Sequence, residues 1–280
     1  MRLTALTAGL GAESAPFKGT LQSVFAHACN IELSAGRLIA LVARGTGAVP
    51  WGFQLSTPPE FRFPDHVRRG QAVACRGGIL RVAGAPFSVD LRTARRWRSG
   101  LGGLALDLQR PEVKRAWSAA WSMTVEKHEE MAFPGQAAEP IAQLLRATRR
   151  LRLDEAAQAA SGLIGLGAGL TPAGDDFLVG FLAGLWCSAG ADPGRRAFLA
   201  GLGASIAATD RTNVISRRFL EAAVVGEVSE RLALVADRIA HAAVPDAVES
   251  AVRAALAVGA SSGADGMIGF LIGARSWRRA

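Results

Sequence analysis

The segment Gly165-Leu166-Gly167-Ala168-Gly169-Leu170-Thr171-Pro172-Ala173-Gly174-Asp175-Asp176 runs directly into Phe177-Leu178-Val179-Gly180-Phe181-Leu182-Ala183-Gly184-Leu185-Trp186. The second part reads as a strongly apolar helix, and the first as the loop feeding its N-terminus. Alternating glycines let a backbone take positive φ and approach a ligand closely. A helix start presents free N–H groups and the positive end of its dipole, which together favour an anion. On this reading Gly167, Gly169, Thr171 and Gly174 are candidate anion-binding positions, with Thr171 also a candidate helix cap. Asp175 and Asp176 fall in the first helical turn and are the candidate catalytic carboxylates. The loop is not a Walker A sequence, since GxxxxGK[ST] has no match. No strand leads into it as a Rossmann fingerprint requires.

The pattern recurs 89 residues later. Ser262-Gly263-Ala264-Asp265-Gly266-Met267-Ile268-Gly269-Phe270-Leu271-Ile272-Gly273 matches Gly174, Asp176, Gly180-Phe181-Leu182 and Gly184 with Gly263, Asp265, Gly269-Phe270-Leu271 and Gly273. Glycine inside a helix costs about 1 kcal/mol relative to alanine. Two helices that each carry glycines four apart therefore need an offsetting gain, and close mutual packing is its obvious source. The spacing predicts helices around Phe177 to Ala189 and Gly266 to Ala274, touching through Gly180, Gly184, Gly269 and Gly273. Their N-termini would adjoin, bringing Asp176 and Asp265, a third candidate catalytic carboxylate, toward one pocket with Ser262 and Gly263 as further candidate anion-binding positions. Between the echoes lies Thr209-Asp210-Arg211-Thr212-Asn213-Val214-Ile215-Ser216-Arg217, ahead of another helical stripe. Thr212 or Asn213 is its expected N-cap, and Thr212 and Ser216 are candidates to complete the anion site.

Further out, the two halves of the chain differ in period. Ile141, Leu144, Leu145 and Thr148 recur at helical spacing, as do Phe198 to Ile206, Phe219 to Val224, Leu232 to Ile239 and Val248 to Leu256. From Phe17 to Leu91 the runs are short and strand-like: Leu21 to Phe25, Leu38 to Val42, Trp51 to Leu55 and Ile79 to Val82, punctuated by Gly and Pro turns. The expected class is α+β, with a small, mostly antiparallel β-domain over residues 1–105 and a helical domain over residues 106–280.

Composition narrows the function. The 280 residues are half apolar and 20% charged, which excludes a disordered polyelectrolyte. The net charge of +8 comes almost wholly from arginine, with lysine only at positions 18, 114 and 127. Nine arginines fall between Arg62 and Arg98 against Asp65 and Asp90, but no nucleic-acid motif accompanies them. Three scattered cysteines and four unclustered histidines give neither a disulfide framework nor a zinc site. Thr171 to Asp176 splits the most apolar run into pieces too short to span a bilayer. A reduced, cytoplasmic protein with no membrane or nucleic-acid partner is the expectation.

Gly167 to Gly180 resembles the GxGLTPSGDDFLxG core of the AllH-like family of bacterial proteins. Ser262 to Asp265 and the stretch Gly19 to Asn30 add to the likeness, which extends over most of the chain. Ala173 stands where that core carries a serine. The resemblance implies a subunit of a multi-subunit oxamate carbamoyltransferase of allantoin breakdown, which moves a carbamoyl group between oxamate and phosphate. The implied substrate is a small anion: phosphate, carbamoyl phosphate or a carboxylate. Other subunits are the implied partners. Three readings stand side by side. One is a carbamoyltransferase component with its own site at the glycine loops. Another is a non-catalytic module that binds a phosphate-bearing ligand or stabilises a partner subunit. The last is a metal-assisted hydrolase or transferase, with Asp175, Asp176 and Asp265 on a divalent cation.

Overall fold

A computed structural model describes residues 1–12, 16–33, 36–129 and 135–277. They divide into two compact units, Met1–Ser99 and Gly100–Ala280, the first built of strands and the second of helices.

The first unit contains β1 (Arg2–Gly9), β2 (Phe17–Val24), β3 (Ala28–Leu33), β4 (Leu38–Val42), β5 (Gly52–Leu55), β6 (Ala72–Arg76), β7 (Ile79–Val82), β8 (Ser88–Asp90) and β9 (Arg95–Trp97). The strand order is β5-β4-β3-β2-β6-β7-β8-β1-β9, and β5 also pairs with β1, so the sheet closes into a barrel. Most pairings are antiparallel. The exceptions, β4 with β5 and β1 with both β8 and β9, are parallel. β1 lies outside the strand-like region read from the sequence, yet it is the closing strand. Closure leaves an inside filled by alternate residues. Leu3, Leu21, Ile31, Leu41, Phe53, Leu80 and Val89 all point into that core.

The second unit comprises α1 (Pro111–Glu129), α2 (Ala138–Arg149), α3 (Leu153–Leu163), α4 (Ala173–Ser188), α5 (Pro193–Ala207), α6 (Val214–Val224), α7 (Glu230–Ala240), α8 (Pro245–Leu256) and α9 (Ser262–Ala274). The outer helices are amphipathic and turn their stripes inward. Phe198, Leu199, Leu202 and Ile206 are all buried, and so are Leu232, Val235, Ala236 and Ile239. α4 and α9 are apolar nearly all round and form the centre. Both start one turn earlier than their apolar runs suggest, at Ala173 and Ser262. Among the described residues, no helix is long and apolar enough to cross a membrane.

The two central helices meet backbone to backbone. A methyl group at Gly180 would sit 2.8 Å from Phe270 N and overlap the Gly266 carbonyl; one at Gly269 would lie 3.0 Å from Phe181 N and overlap the Phe177 carbonyl. Adding 89 to 177 and 181 gives 266 and 270, so each helix offers the other the same positions. Gly184 likewise faces Phe270 and Ala274, and Gly273 faces Phe181. Contacts advance together along both chains, so the helices are parallel and related by a local two-fold. The symmetry extends outward, because Gly174 packs on the last carbonyl of α3 and Gly263 on the last carbonyls of α8.

Candidate functional site

A parallel pair places both N-termini together. The Thr171 and Ser262 hydroxyls are 2.6 Å apart, joining the loop before α4 to the first residue of α9. Asp176 and Asp265 occupy matching first-turn positions, close enough for the charge of Asp265 to act on Asp176. Two aligned helix dipoles raise the local positive potential, and first-turn acids offset it.

The carboxyls differ in their surroundings. Asp175 is buried, and both of its oxygens are engaged: Gly165 N donates to Oδ1 at 2.8 Å and Thr212 Oγ1 donates to Oδ2 at 2.5 Å. Burial pushes its pKa up; Thr212, the Gly165 amide and the nearby Ser216 hydroxyl oppose the rise. Burial raises the pKa of Asp176 to about 8, helped by the charges of Asp265 and Asp175 and opposed by the Ser262 and Thr171 hydroxyls. Asp176 Oδ2 is buried without a hydrogen-bond partner in the structure. Burial and the neighbouring carboxylates thus favour the protonated form of Asp176, which is a donor where an ordinary aspartate would only accept.

The loop is held from one side by the segment leading into α6. Asn213 caps that helix through Oδ1, accepting from Ile215 N and Ser216 N, while its Nδ2 donates to Leu170 O at 2.9 Å. Arg211 Nη1 donates to Ser161 O and Oγ, both at 3.0 Å. The Arg211 carbonyl lies against Gly165, whose φ of +76° and lack of a side chain both matter there. Thr212 thus reaches Asp175, and the cap is Asn213. Gly167 to Leu170 are exposed, so the loop faces solvent.

The remaining candidates divide by role. Gly174 N donates to Leu166 O and Gly263 N to Val258 O, each at 2.9 Å, so these glycines serve close packing. Gly167 and Gly169 take φ of +112° and +99° in the exposed loop. Thr171 does not cap α4; Pro172 is the N-cap residue, and the Thr171 hydroxyl goes to Ser262. Ser216 Oγ is buried beneath the loop beside Asp175. Among the described residues no three His, Cys, Asp or Glu side chains are grouped as a metal site, and Asp175 is turned to Gly165 and Thr212. Sequence reasoning passed over Arg211 and Ser161 as loop supports. The polar run Thr209 to Asn213 was their only signal.

Two family models match the chain. Residues 163–274 match the model described as oxamate carbamoyltransferase subunit AllH, and residues 4–96 match that of the AllH family N-terminal domain. The chain belongs to the AllH family. Each matched segment falls within one structural unit: residues 4–96 cover most of the barrel, and residues 163–274 run from the end of α3 to the end of α9, leaving α1 and α2 outside. No curated protein and no solved structure matches the chain.

Proposed function

We propose that this chain is a component of a carbamoyltransferase that exchanges a carbamoyl group between oxamate and phosphate, with its small anionic reactant held where α4 and α9 begin. The observation that carries this reading is the meeting of two parallel helix N-termini at Thr171 and Ser262. Such a meeting concentrates dipole potential and hydroxyl donors at one solvent-facing point, which suits phosphate or a carboxylate. The family description supports the reaction class.

In that reaction the oxamate nitrogen attacks the carbamoyl carbon, the bond from that carbon to the phosphate oxygen breaks, and phosphate leaves with the electron pair. The nitrogen gives up a proton. Catalysis of this kind rests mainly on positioning and on stabilising charge as it develops. Thr171 and Ser262 supply hydroxyl donors, and Gly167 and Gly169 let the loop backbone approach the anion. Asp176, whose raised pKa favours its protonated form at rest, is suited to give that proton to the departing phosphate oxygen and to take up the one the nitrogen releases. Asp175 fixes the loop through Gly165 and Thr212.

Thermal denaturation with carbamoyl phosphate, oxamate, inorganic phosphate and a sulfate control tests this. Stabilisation by oxamate or carbamoyl phosphate that disappears in Asp176→Asn is expected, together with phosphate release when both reactants and the partner subunits are present. No stabilisation by either reactant, with an undiminished complex with partner subunits in Asp176→Asn, would overturn the reading in favour of a non-catalytic module.

A further inference from the structure

All of the net charge lies in the barrel unit. Residues 1–99 hold 13 cationic and 5 acidic side chains, whereas residues 100–280 hold 19 of each. The register shows where part of that excess is gathered. Across β6, β7, β8 and β1 one row of outward positions reads Ala74, Arg81, Ser88, Arg2. The adjoining row reads Arg76, Ile79, Asp90, Thr4. Their neighbours Val73, Cys75, Leu80, Val82, Val89 and Leu3 point into the barrel, so both rows lie on its outer surface. Arg92 joins the same face, its stem lying over Gly78 in the turn between β6 and β7.

Asp90 organises the centre of this face. Arg92 donates to it through Nε and Nη2 at 2.9 and 2.7 Å, and Arg2 Nη2 donates at 2.6 Å. One carboxylate thus fixes two guanidinium groups that remain more than half exposed. Arg76 and Arg81 are exposed and have no ion-pair partner among the described residues. At a strand spacing of about 4.8 Å, the four strands place these cations within roughly 15 Å of one another. Like charges at such separations repel, screened over about 8 Å at physiological salt. The face is otherwise made of small or aliphatic side chains, with Leu6 on β1 also exposed.

We propose that this outer face of β6, β7, β8 and β1 is a docking surface for an acidic face of another protein, whose carboxylates pair with Arg76 and Arg81. Charge complementarity selects the sign of the partner. Arginine enriched among scattered aliphatic side chains on the barrel's outer surface is a feature of protein interfaces. A central carboxylate and the absence of aromatic side chains from the two rows disfavour a nucleic-acid strand. The proposal is independent of the reading of the helical unit, so either can fail alone.

The test uses the full chain and a fluorescently labelled oligoglutamate peptide as probe, with anisotropy read at low and moderate salt. Wild-type protein is expected to bind with an affinity that falls as salt rises. R76E/R81E should weaken binding at least about tenfold, while R115E/R150E, an equal charge change on exposed positions of the helical unit, should not. Because neither barrel arginine has a partner to lose, the melting temperature of R76E/R81E should stay near that of the wild type. R76Q/R81Q repeats the test without introducing new charges. Equal weakening by both double reversals would overturn the proposal, as would no binding of the peptide. Tighter binding of a labelled oligonucleotide, lost in R76E/R81E, would overturn it in favour of nucleic acid.

Discussion

Alanine substitution at two glycines of α9, three residues apart, probes the seam between the central helices. A methyl group at Gly269 would lie 2.9 Å from the Phe177 carbonyl carbon and overlap its oxygen, and both atoms are backbone. No side chain can rotate away, so α4 and α9 must separate by about 1 Å, and a gap of that size forfeits a quarter to a half of each van der Waals well it opens. Overpacking of a tight core costs typically about 1–3 kcal/mol, and rigid backbone on both sides puts this case at the upper end. The helix-propensity gain of about 1 kcal/mol offsets part of it. Gly269→Ala is therefore expected to destabilise by about 2 kcal/mol. At Gly266 the nearest atom to such a methyl is Asp176 O at 3.6 Å, ordinary contact, so Gly266→Ala keeps the gain and stabilises by up to about 1 kcal/mol. At roughly 2–4 °C per kcal/mol for a domain of this size, the two variants, about 2–3 kcal/mol apart, should differ in melting temperature by about 4–12 °C. Urea titration with matched m-values gives the free-energy difference directly. If the two variants fall within about 1 kcal/mol of each other, the backbone-to-backbone seam is wrong.

Three further outcomes follow from the site. Asp176 has a native pKa above its unfolded value of 3.8, so the native state binds the extra proton and stability falls as pH rises from about 4 to about 8, by at most about 1.4 kcal/mol per pH unit. In Asp176→Asn that slope should flatten in urea titrations across the window; an unchanged slope would show that Asp176 is not the group responsible. Thr212→Val leaves Asp175 Oδ2 buried with one donor fewer, costing about 1–3 kcal/mol by chemical denaturation; a change below about 0.5 kcal/mol would mean that water replaces the hydroxyl freely. Asn213→Ala removes both the α6 cap and the bond to Leu170 O, costing about 1–2 kcal/mol, and should speed amide exchange in residues 165–172 beyond the global change. Unaltered exchange there would refute the idea that this segment holds the loop.

What could be read from the chain depended on how local the signal was. The helical stripes and the seam were legible because glycines four apart, repeated at an offset of 89, leave few other uses for so much lost helix propensity. The apolar runs alone placed the helix starts one turn late, because Ala-Gly-Asp-Asp and Ser-Gly-Ala-Asp are poor helix formers, although the acids Asp175 and Asp176 were read as first-turn residues and are. β1 escaped notice because Thr4, Ala5, Thr7 and Ala8 alternate only weakly, and its partners on β5, β8 and β9 lie far along the chain. Asp175 and Asp176 are indistinguishable by type and position. Only the fold separates them: one braces the loop through Gly165 and Thr212, while burial raises the pKa of the other to about 8.

The seam also has a consequence for how the chain folds. Its two halves are separated by the whole of α5 to α8, so the entropy of closing that long loop must be overcome before Gly180 can meet Gly269. Local hairpins such as α2 with α3 or α7 with α8 have no such barrier and should form first. The place where Thr171 meets Ser262 is therefore assembled late, and a ligand that bridges those helix ends would bind only chains that have completed the helical unit. Amide protection of α4 and α9, followed in time during refolding, would then report the maturation of the site itself.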